Sequence, residues 1–257
     1  MRKPLGPTGT ATTADPMHLR VMTYNIHSGF GLDGYDLHAI HRAIEHERVD
    51  LVALQEVDFG LRRTGYLNQA RWLADRLGLH AIAGGTRRQG RYGNALLTRW
   101  PATFVMNHNL TVWPQPGRAC LEVHLAMPKG TLRCYVTHFG LLPQERTVQA
   151  ERLIDEIIPE DDDRHPAVLM GDFNTAPRSR VSGRLRGRFI DAFDAVGNGR
   201  SATFHARLPG VRFDYIYTGP RLTPQSCHVA ANPWSERGSD HLPLVASVSV
   251  SFGPKRS

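Results

Sequence analysis

Between residues 95 and 137 four strand-like runs follow one another without a helical pattern between them, and this limits most sharply what the chain can fold into. They lie at 95–98, closed by Pro101, and near 102–106, 119–125 and 131–137. On either side of this block strands alternate with helices. Strict alternation throughout would suit a doubly wound parallel sheet or a barrel; a run of strands in the middle suits neither. The pattern predicts two packed sheets with helices outside them.

The flanking elements read as follows. Residues 19–24 are mostly apolar or β-branched and form a strand that ends at Asn25. Gly29, Gly31 and Gly34 mark a loop, after which Leu37, Ile40 and Ile44 recur at helical spacing over 36–48. A strand at 49–54 delivers Gln55 and Glu56. A helix over 66–77 turns Leu67, Leu73 and Leu77 inward and has Gly78 placed as its C-terminal cap. Pro143 opens a helix over 144–158, with Val148, Ile154, Ile157 and Ile158 facing in and Pro159 and the acidic run 160–163 ending it. Strands at 167–170, 211–217 and 244–250 complete the pattern. No internal repeat or abrupt change of composition interrupts it, so one domain over 18–252 is expected, between disordered tails at 1–17 and 253–257.

Composition narrows the functional classes. No apolar run approaches the ~18 residues of a membrane span, and the N-terminus lacks an apolar signal core. Cys120, Cys134 and Cys227 are odd in number and have no C-x-x-C spacing, which disfavours a disulfide framework or a zinc site and suits a reducing compartment. A cytoplasmic protein with no obligate protein partner is the expectation. The formal net charge of +7 suits an anionic substrate. The basic residues are almost all arginines and are scattered, so they do not form a nucleic-acid-binding run.

Chemistry concentrates where strands end. Asn25, Glu56, His138 and Asp172 each follow an apolar run, and His241 directly precedes the last strand; a rigid scaffold presents catalytic groups in this way. Glu56 is the best candidate for a hard divalent ion such as Mg²⁺, which takes few protein carboxylates and keeps several waters. Asn25 can offer an amide oxygen to the same ion or to its water. Asp172 and Asn174, two apart, project to one side if the backbone is extended, and a proton-accepting carboxylate beside an amide donor fits phosphate-ester hydrolysis. An Asx turn would use the same residues. His241 needs an orienting carboxylate, and Asp214, alone in the apolar strand 211–217, is the candidate. Whether Asp172 or His241 is the base stays open at this point.

Seven segments together carry a resemblance: MTYNIH (22–27), DLVALQEVD (50–58), GNALLTRWP (93–101), YVTHFG (135–140), VLMGDFNTAP (168–177), RFDYIY (212–217) and GSDHLPL (238–244). The chain resembles the endonuclease/exonuclease/phosphatase superfamily from about Leu19 to Val250. The resemblance implies a DNase I-like, four-layer α/β/β/α sandwich of two packed mixed sheets. It implies Mg²⁺ (with Mn²⁺ able to substitute) at Glu56, with Asn25 and Asp240 beside the metal. Asp172 would deprotonate the attacking water, Asn174 would hold the phosphoryl group, and Asp214 would pair with His241. His138 stands where the DNase I and sphingomyelinase branches place a histidine that assists the leaving group. AP endonucleases carry a tyrosine-centred arrangement there, so AP-site repair is disfavoured.

Asn94 in GNALL is a further candidate for the mouth of the site, and Arg146 either faces the phosphate or is a solvated helix residue. Trp113 and Trp234 lie in loops where they can touch lipid or bases or cover a core edge. The function this implies is Mg²⁺-dependent hydrolysis of a phosphodiester by in-line attack of water, with a phospholipid or small phosphodiester as substrate. A DNA or RNA nuclease is the alternative within the enzyme class. A non-catalytic module that binds a phosphorylated ligand is the alternative outside it.

Overall fold

The computed structural model describes residues 16–87, 89–158 and 165–252. Two six-stranded sheets carry the fold. The first runs, edge to edge, through Leu222–Val229, Leu244–Val250, Met17–Asn25, Leu51–Asp58, Tyr92–Thr98 and His80–Arg87. The second runs through Ile190–Asp191, Asp214–Thr218, Ala167–Asp172, Gly130–His138, Ala119–Met127 and Ala102–Asn109. Both are mixed: Met17–Asn25 lies parallel to Leu51–Asp58, and Gly130–His138 parallel to Ala167–Asp172, while the other pairs are antiparallel. The consecutive strands between 95 and 137 explain this split, since the chain leaves the first sheet after Thr98 and builds three neighbouring strands of the second as a meander. No helix among the described residues is long and apolar enough to cross a membrane.

Alternation along the strands builds three cores. Val21, Leu51, Leu96, Leu121, Val136, Met170, Ile216 and Ala246 meet between the sheets. Met22, Val52, Leu54 and Leu97 point the other way, under the helices Leu37–Glu47 and Gln69–Leu77, where they meet Ile40, Ile44 and Leu73. Tyr135, Leu169, Tyr215 and Tyr217 do the same on the second sheet, against Ala150, Leu153 and Leu185. Each large apolar side chain so buried contributes about 1.5–3 kcal/mol of transfer free energy. The three cysteines are buried and free.

Local signals fix the helix ends. Asp36 accepts a hydrogen bond from the Ala39 N–H and Asn68 from the Arg71 N–H, and Gly78 takes the left-handed conformation that closes the second helix. The helix expected over 144–158 is Pro143–Glu151 followed by a π-type turn, Arg152–Ile157. Its buried face is carried by Gln149, Ala150, Leu153, Ile154 and Ile158, while Val148 and Ile157 are only half-buried. The acidic run 160–163 and most of both predicted tails lie outside the described residues.

Two strands carry no clear signal in the sequence. His80–Arg87 is an edge strand rich in Ala and Gly, and Leu222–Val229 is an edge strand whose register shifts between Pro224 and Ser226. Both are edges, where proline and weak patterning are tolerated. The strand expected over 211–217 begins at Asp214, because Val211 pairs with Phe204 in a separate bridge.

Candidate active site

The strand register assembles half of the site. His138 is the partner of Asp172 across one pair of strands, and Asp214 is the partner of Asp172 across the other. Directly opposed residues share a face, so three polar side chains stand in a row at one end of the second sheet. Gly171 makes this end close-packed: its φ is +158°, and a Cβ there would lie 2.0 Å from the Thr137 carbonyl oxygen.

The first sheet supplies the other half. Asn25 is the partner of Gln55 on the parallel neighbour, which brings Glu56 alongside it. Glu56 is not at the strand end. The strand continues to Asp58 through a register shift between Leu54 and Val57, with Glu56 at φ +59°. This bulge re-aims the Glu56 side chain relative to a regular strand. It is clamped from behind, since Ser28 Oγ donates to the Glu56 carbonyl at 3.0 Å and accepts from Arg63 at 2.7 Å, while Arg63 pairs with Asp58 at 2.7 Å.

The two halves meet through Asn25. Its Nδ2 donates to Glu56 Oε1 at 3.2 Å and to Asp172 Oδ2 at 3.0 Å, while its Oδ1 accepts the His27 N–H at 3.1 Å. The amide oxygen expected to face a metal thus already has one backbone partner, with its second lone pair left over. Through its Nδ2 the amide acts as a clip between two carboxylates from different sheets. Tyr92 OH donates to Glu56 Oε2 at 2.8 Å.

Asp172 is the hub, 1 % exposed. Its Oδ1 accepts the Asn174 N–H at 2.8 Å, and its Oδ2 stands 3.5 Å from His138 Nε2 and 3.7 Å from His241 Nε2. His241 Nδ1 lies 2.8 Å from Asp214 Oδ2. Burial pushes the Asp172 carboxyl up to about 7, against the pull of His241 and of the donors from Asn25 and Asn174. Burial acts on His241 in the opposite sense, but the Asp214 and Asp172 carboxylates overcome it and raise the imidazole to about 10. Near neutral pH His241 is thus an imidazolium and Asp172 can exchange a proton.

His138 has a different state. Arg118 Nη1 lies 3.0 Å from His138 Nδ1, in a buried contact. A guanidinium has only donors, so Nδ1 must present its lone pair. The proton then sits on Nε2, the nitrogen that faces Asp172. His138 is a neutral donor here, whereas His241 is charged.

Other expected residues fall differently. Asn174 has φ +49°, so it does not share an extended backbone with Asp172; the two meet through an Asx-type turn. One hydrogen of its amide goes to the Phe139 carbonyl at 2.9 Å, although the residue still lines the mouth. Asn94 is 2 % exposed, and its Nδ2 donates to the carbonyls of Ala119 and Val136. It ties one sheet to the other, and it lines a small recess beside the mouth with Glu56, Tyr92, Arg118 and His138. Arg146 donates to the Leu141 carbonyl at 2.6 Å and braces that turn; it does not line the mouth. Trp234 packs beside His46 on a helix, whereas Trp113 is 89 % exposed and covers no core edge. Sequence reasoning missed Tyr92 and Arg118, because neither stands at the end of an apolar run.

Glu56, Tyr92, Arg118, His138, Asp172, Asn174, Asp240 and His241 open to one cavity of about 490 Å³. Two donor sets are available for a cation. Glu56 and Asp240 offer carboxylate oxygens to this cavity, the hard and sparse set that Mg²⁺ favours. Asp172, Asp214 and His241 also present atoms within 4.8 Å of one another. That trio is already internally paired, with His241 Nδ1 held by Asp214, and its arrangement suits proton movement.

The comparisons agree with this architecture. The sequence model of the Endonuclease/Exonuclease/phosphatase family matches residues 22–241. YbhP of Escherichia coli K12, an uncharacterised protein, is 28% identical over 247 residues, covering 90% of this chain and 96% of its own length. The endonuclease/exonuclease/phosphatase of Bacteroides vulgatus superposes with a TM-score of 0.76 at 23% identity, covering 91% of this chain and 100% of that one. The mannosyl-6-phosphatase Bt3783 of Bacteroides thetaiotaomicron gives 0.75 at 16% identity, with 90% and 99% covered. With the family model spanning the whole site from Met22 to His241, the chain belongs to the endonuclease/exonuclease/phosphatase family, whose members are typically metal-dependent hydrolases.

Proposed function

We propose that this protein hydrolyses a phosphodiester with the help of Mg²⁺, which Mn²⁺ can replace. The observation that carries the reading is the position of Asp172, joined through Asn25 to Glu56 on one side and facing the His241–Asp214 pair on the other. Glu56 and Asp240 are the residues that would hold the ion. When bound, the ion would polarise a phosphoryl oxygen and lower the pKa of a water.

The remaining chemistry belongs to the chain. Asp172, raised by burial, accepts the proton of the attacking water. His241, kept charged by Asp214, donates to a phosphoryl oxygen and offsets the charge that develops there. His138 offers Nε2–H as a neutral donor on the far side of Asp172. Asn174 has a second amide hydrogen for the phosphoryl group, and its backbone N–H holds Asp172 in place.

The test is hydrolysis of bis-p-nitrophenyl phosphate in Mg²⁺, in Mn²⁺ and in excess chelator, beside a panel of phospholipid, DNA, RNA and sugar-phosphate monoester substrates. Turnover of diesters that chelator abolishes and Mg²⁺ restores supports the reading. Undiminished turnover in chelator refutes the metal, and binding of these esters without turnover favours the non-catalytic module. Turnover confined to nucleic acid makes the protein a nuclease, and turnover confined to monoesters makes it a phosphatase.

A further inference from the structure

Among the described residues the three most exposed large apolar side chains are Trp113 at 89 %, Leu208 at 84 % and Leu141 at 69 %. All three belong to loops around the mouth. Leu141 lines it together with Leu142, itself 47 % exposed. Trp113 is two residues from Gln115 and three from Pro116, both of which line it. Leu208 sits in the loop of Phe204, which lines the mouth and pairs with His241; Ala206 of that loop donates to the Asp240 carbonyl at 2.8 Å. The loops are held in place: Arg146 braces the Leu141 carbonyl, and the Gly210 N–H returns to the Phe204 carbonyl at 2.9 Å.

Single exposed apolar residues need no explanation. A set gathered on the rim of a reactive cavity does. Two kinds of residue line the cavity: Glu56, Asp172, Asp240 and His241 are charged or ionisable, with Asp172 and His241 buried, while Pro116, Leu141, Leu142, Phe204 and Phe213 are apolar, with Leu141 and Leu142 exposed. Buried ionisable groups beside exposed leucines match the two chemistries of a lipid, a phosphate headgroup and apolar chains. The exposed Arg91 stands next to the mouth-lining Tyr92, which suits a negatively charged surface.

We propose that the mouth face docks on an anionic phospholipid bilayer, with Trp113, Leu141, Leu142 and Leu208 entering its interface so that a headgroup phosphoester reaches the cavity. Leucines favour this occupant over nucleic acid, because bases stack on aromatic rings and gain nothing comparable from leucine. The substrate assignment rests on the hydrolase reading, but docking itself is measured without turnover.

The experiment is co-sedimentation of the full chain, in chelator, with vesicles of phosphatidylcholine and phosphatidylglycerol in equal parts. Phosphatidylcholine alone and a duplex DNA oligonucleotide are the other arms. The wild type is expected to bind the mixed vesicles best, with a blue shift of tryptophan fluorescence that Trp113→Ser removes. W113S/L208S is expected to lower vesicle partitioning by about tenfold or more, the loss of two inserted apolar groups. Ile190→Ser is the control: Ile190 is 49 % exposed but pairs with Thr218, whose partner Val168 lies at the end of its strand opposite Asp172. It should bind as wild type.

Hydrolysis of soluble bis-p-nitrophenyl phosphate by W113S/L208S should stay at the wild-type level. Failure of the wild type to bind vesicles, equal binding by W113S/L208S, or an equal loss in Ile190→Ser would each overturn docking. Rim-dependent binding of DNA without vesicle binding would overturn the choice of a bilayer. Rim-dependent vesicle docking by a protein that cleaves no diester would uphold docking and refute the hydrolase reading instead.

Discussion

Replacing Asp172 by Asn separates two consequences of burying one carboxylate. The substitution keeps the side-chain shape but removes the proton acceptor, and a general base of this kind is worth about 10²–10⁴-fold in rate. Its effect on stability should depend on pH. The carboxyl rises from 3.8 to about 7 on folding, a shift that corresponds to at most ~4 kcal/mol. Asp172 is coupled to the His241 charge, so half of that, ~2 kcal/mol, is the working figure.

The sign follows from linkage. A carboxyl whose folded pKa lies above its unfolded one costs nothing below pH 3.8. The cost grows as pH rises towards 7 and is complete above that. Asparagine never carries this cost. It carries another, because Oδ1 and Oδ2 each accept a donor, from Asn174 and Asn25, and an amide can satisfy only one of them. That penalty of about 1–3 kcal/mol does not vary with pH.

Urea unfolding of both proteins in chelator, at pH 4 and at pH 8, isolates the pH-dependent part. Asp172→Asn should gain on the wild type by roughly 2 kcal/mol between those two values, whatever the offset between them. A gap that is constant, or that narrows with rising pH, would refute burial as the cause of the raised carboxyl. Near wild-type turnover by Asp172→Asn would move the base elsewhere, with His241 the next candidate.

Glu56→Gln keeps the contacts to Asn25 and Tyr92 within reach but removes the charge; calorimetric titration with Mg²⁺ should show weakened binding, and unchanged affinity would place the ion elsewhere. Asp214→Ala and His241→Ala should be strongly non-additive in kcat/KM, since the pair acts as a unit; additive losses in the double-mutant cycle would dissolve the pair. Arg118→Met removes the donor that fixes the His138 ring. Nitrogen-15 NMR should find Nδ1 unprotonated in the wild type and a mixture of tautomers in the variant. Identical spectra would mean that Arg118 does not set the ring.

Much of the molecule is legible along the chain because local forces write it there. Strands such as 19–24 and 167–170 are mostly apolar or β-branched runs, Asp36 and Gly78 punctuate helices, and the uninterrupted strands between 95 and 137 signal the second sheet. These features follow from backbone sterics and side-chain periodicity, which act over a few residues. Residues at strand ends stand out for the same reason, since Asn25, Asp172 and His241 break an apolar pattern.

What each residue does there was settled at long range. Asp172 faces His138 and Asp214 through the strand register, and nothing near residue 172 specifies those partners. The amide of Asn25 is oriented by carboxylates 31 and 147 residues away, and Asn94 ties sheets that meet only after both have formed. Tyr92 and Arg118 acquire meaning only through Glu56 and His138. Sequence thus determined the elements and the reactive side chains, while packing decided which charges are buried together, and burial sets protonation through desolvation and neighbouring charge.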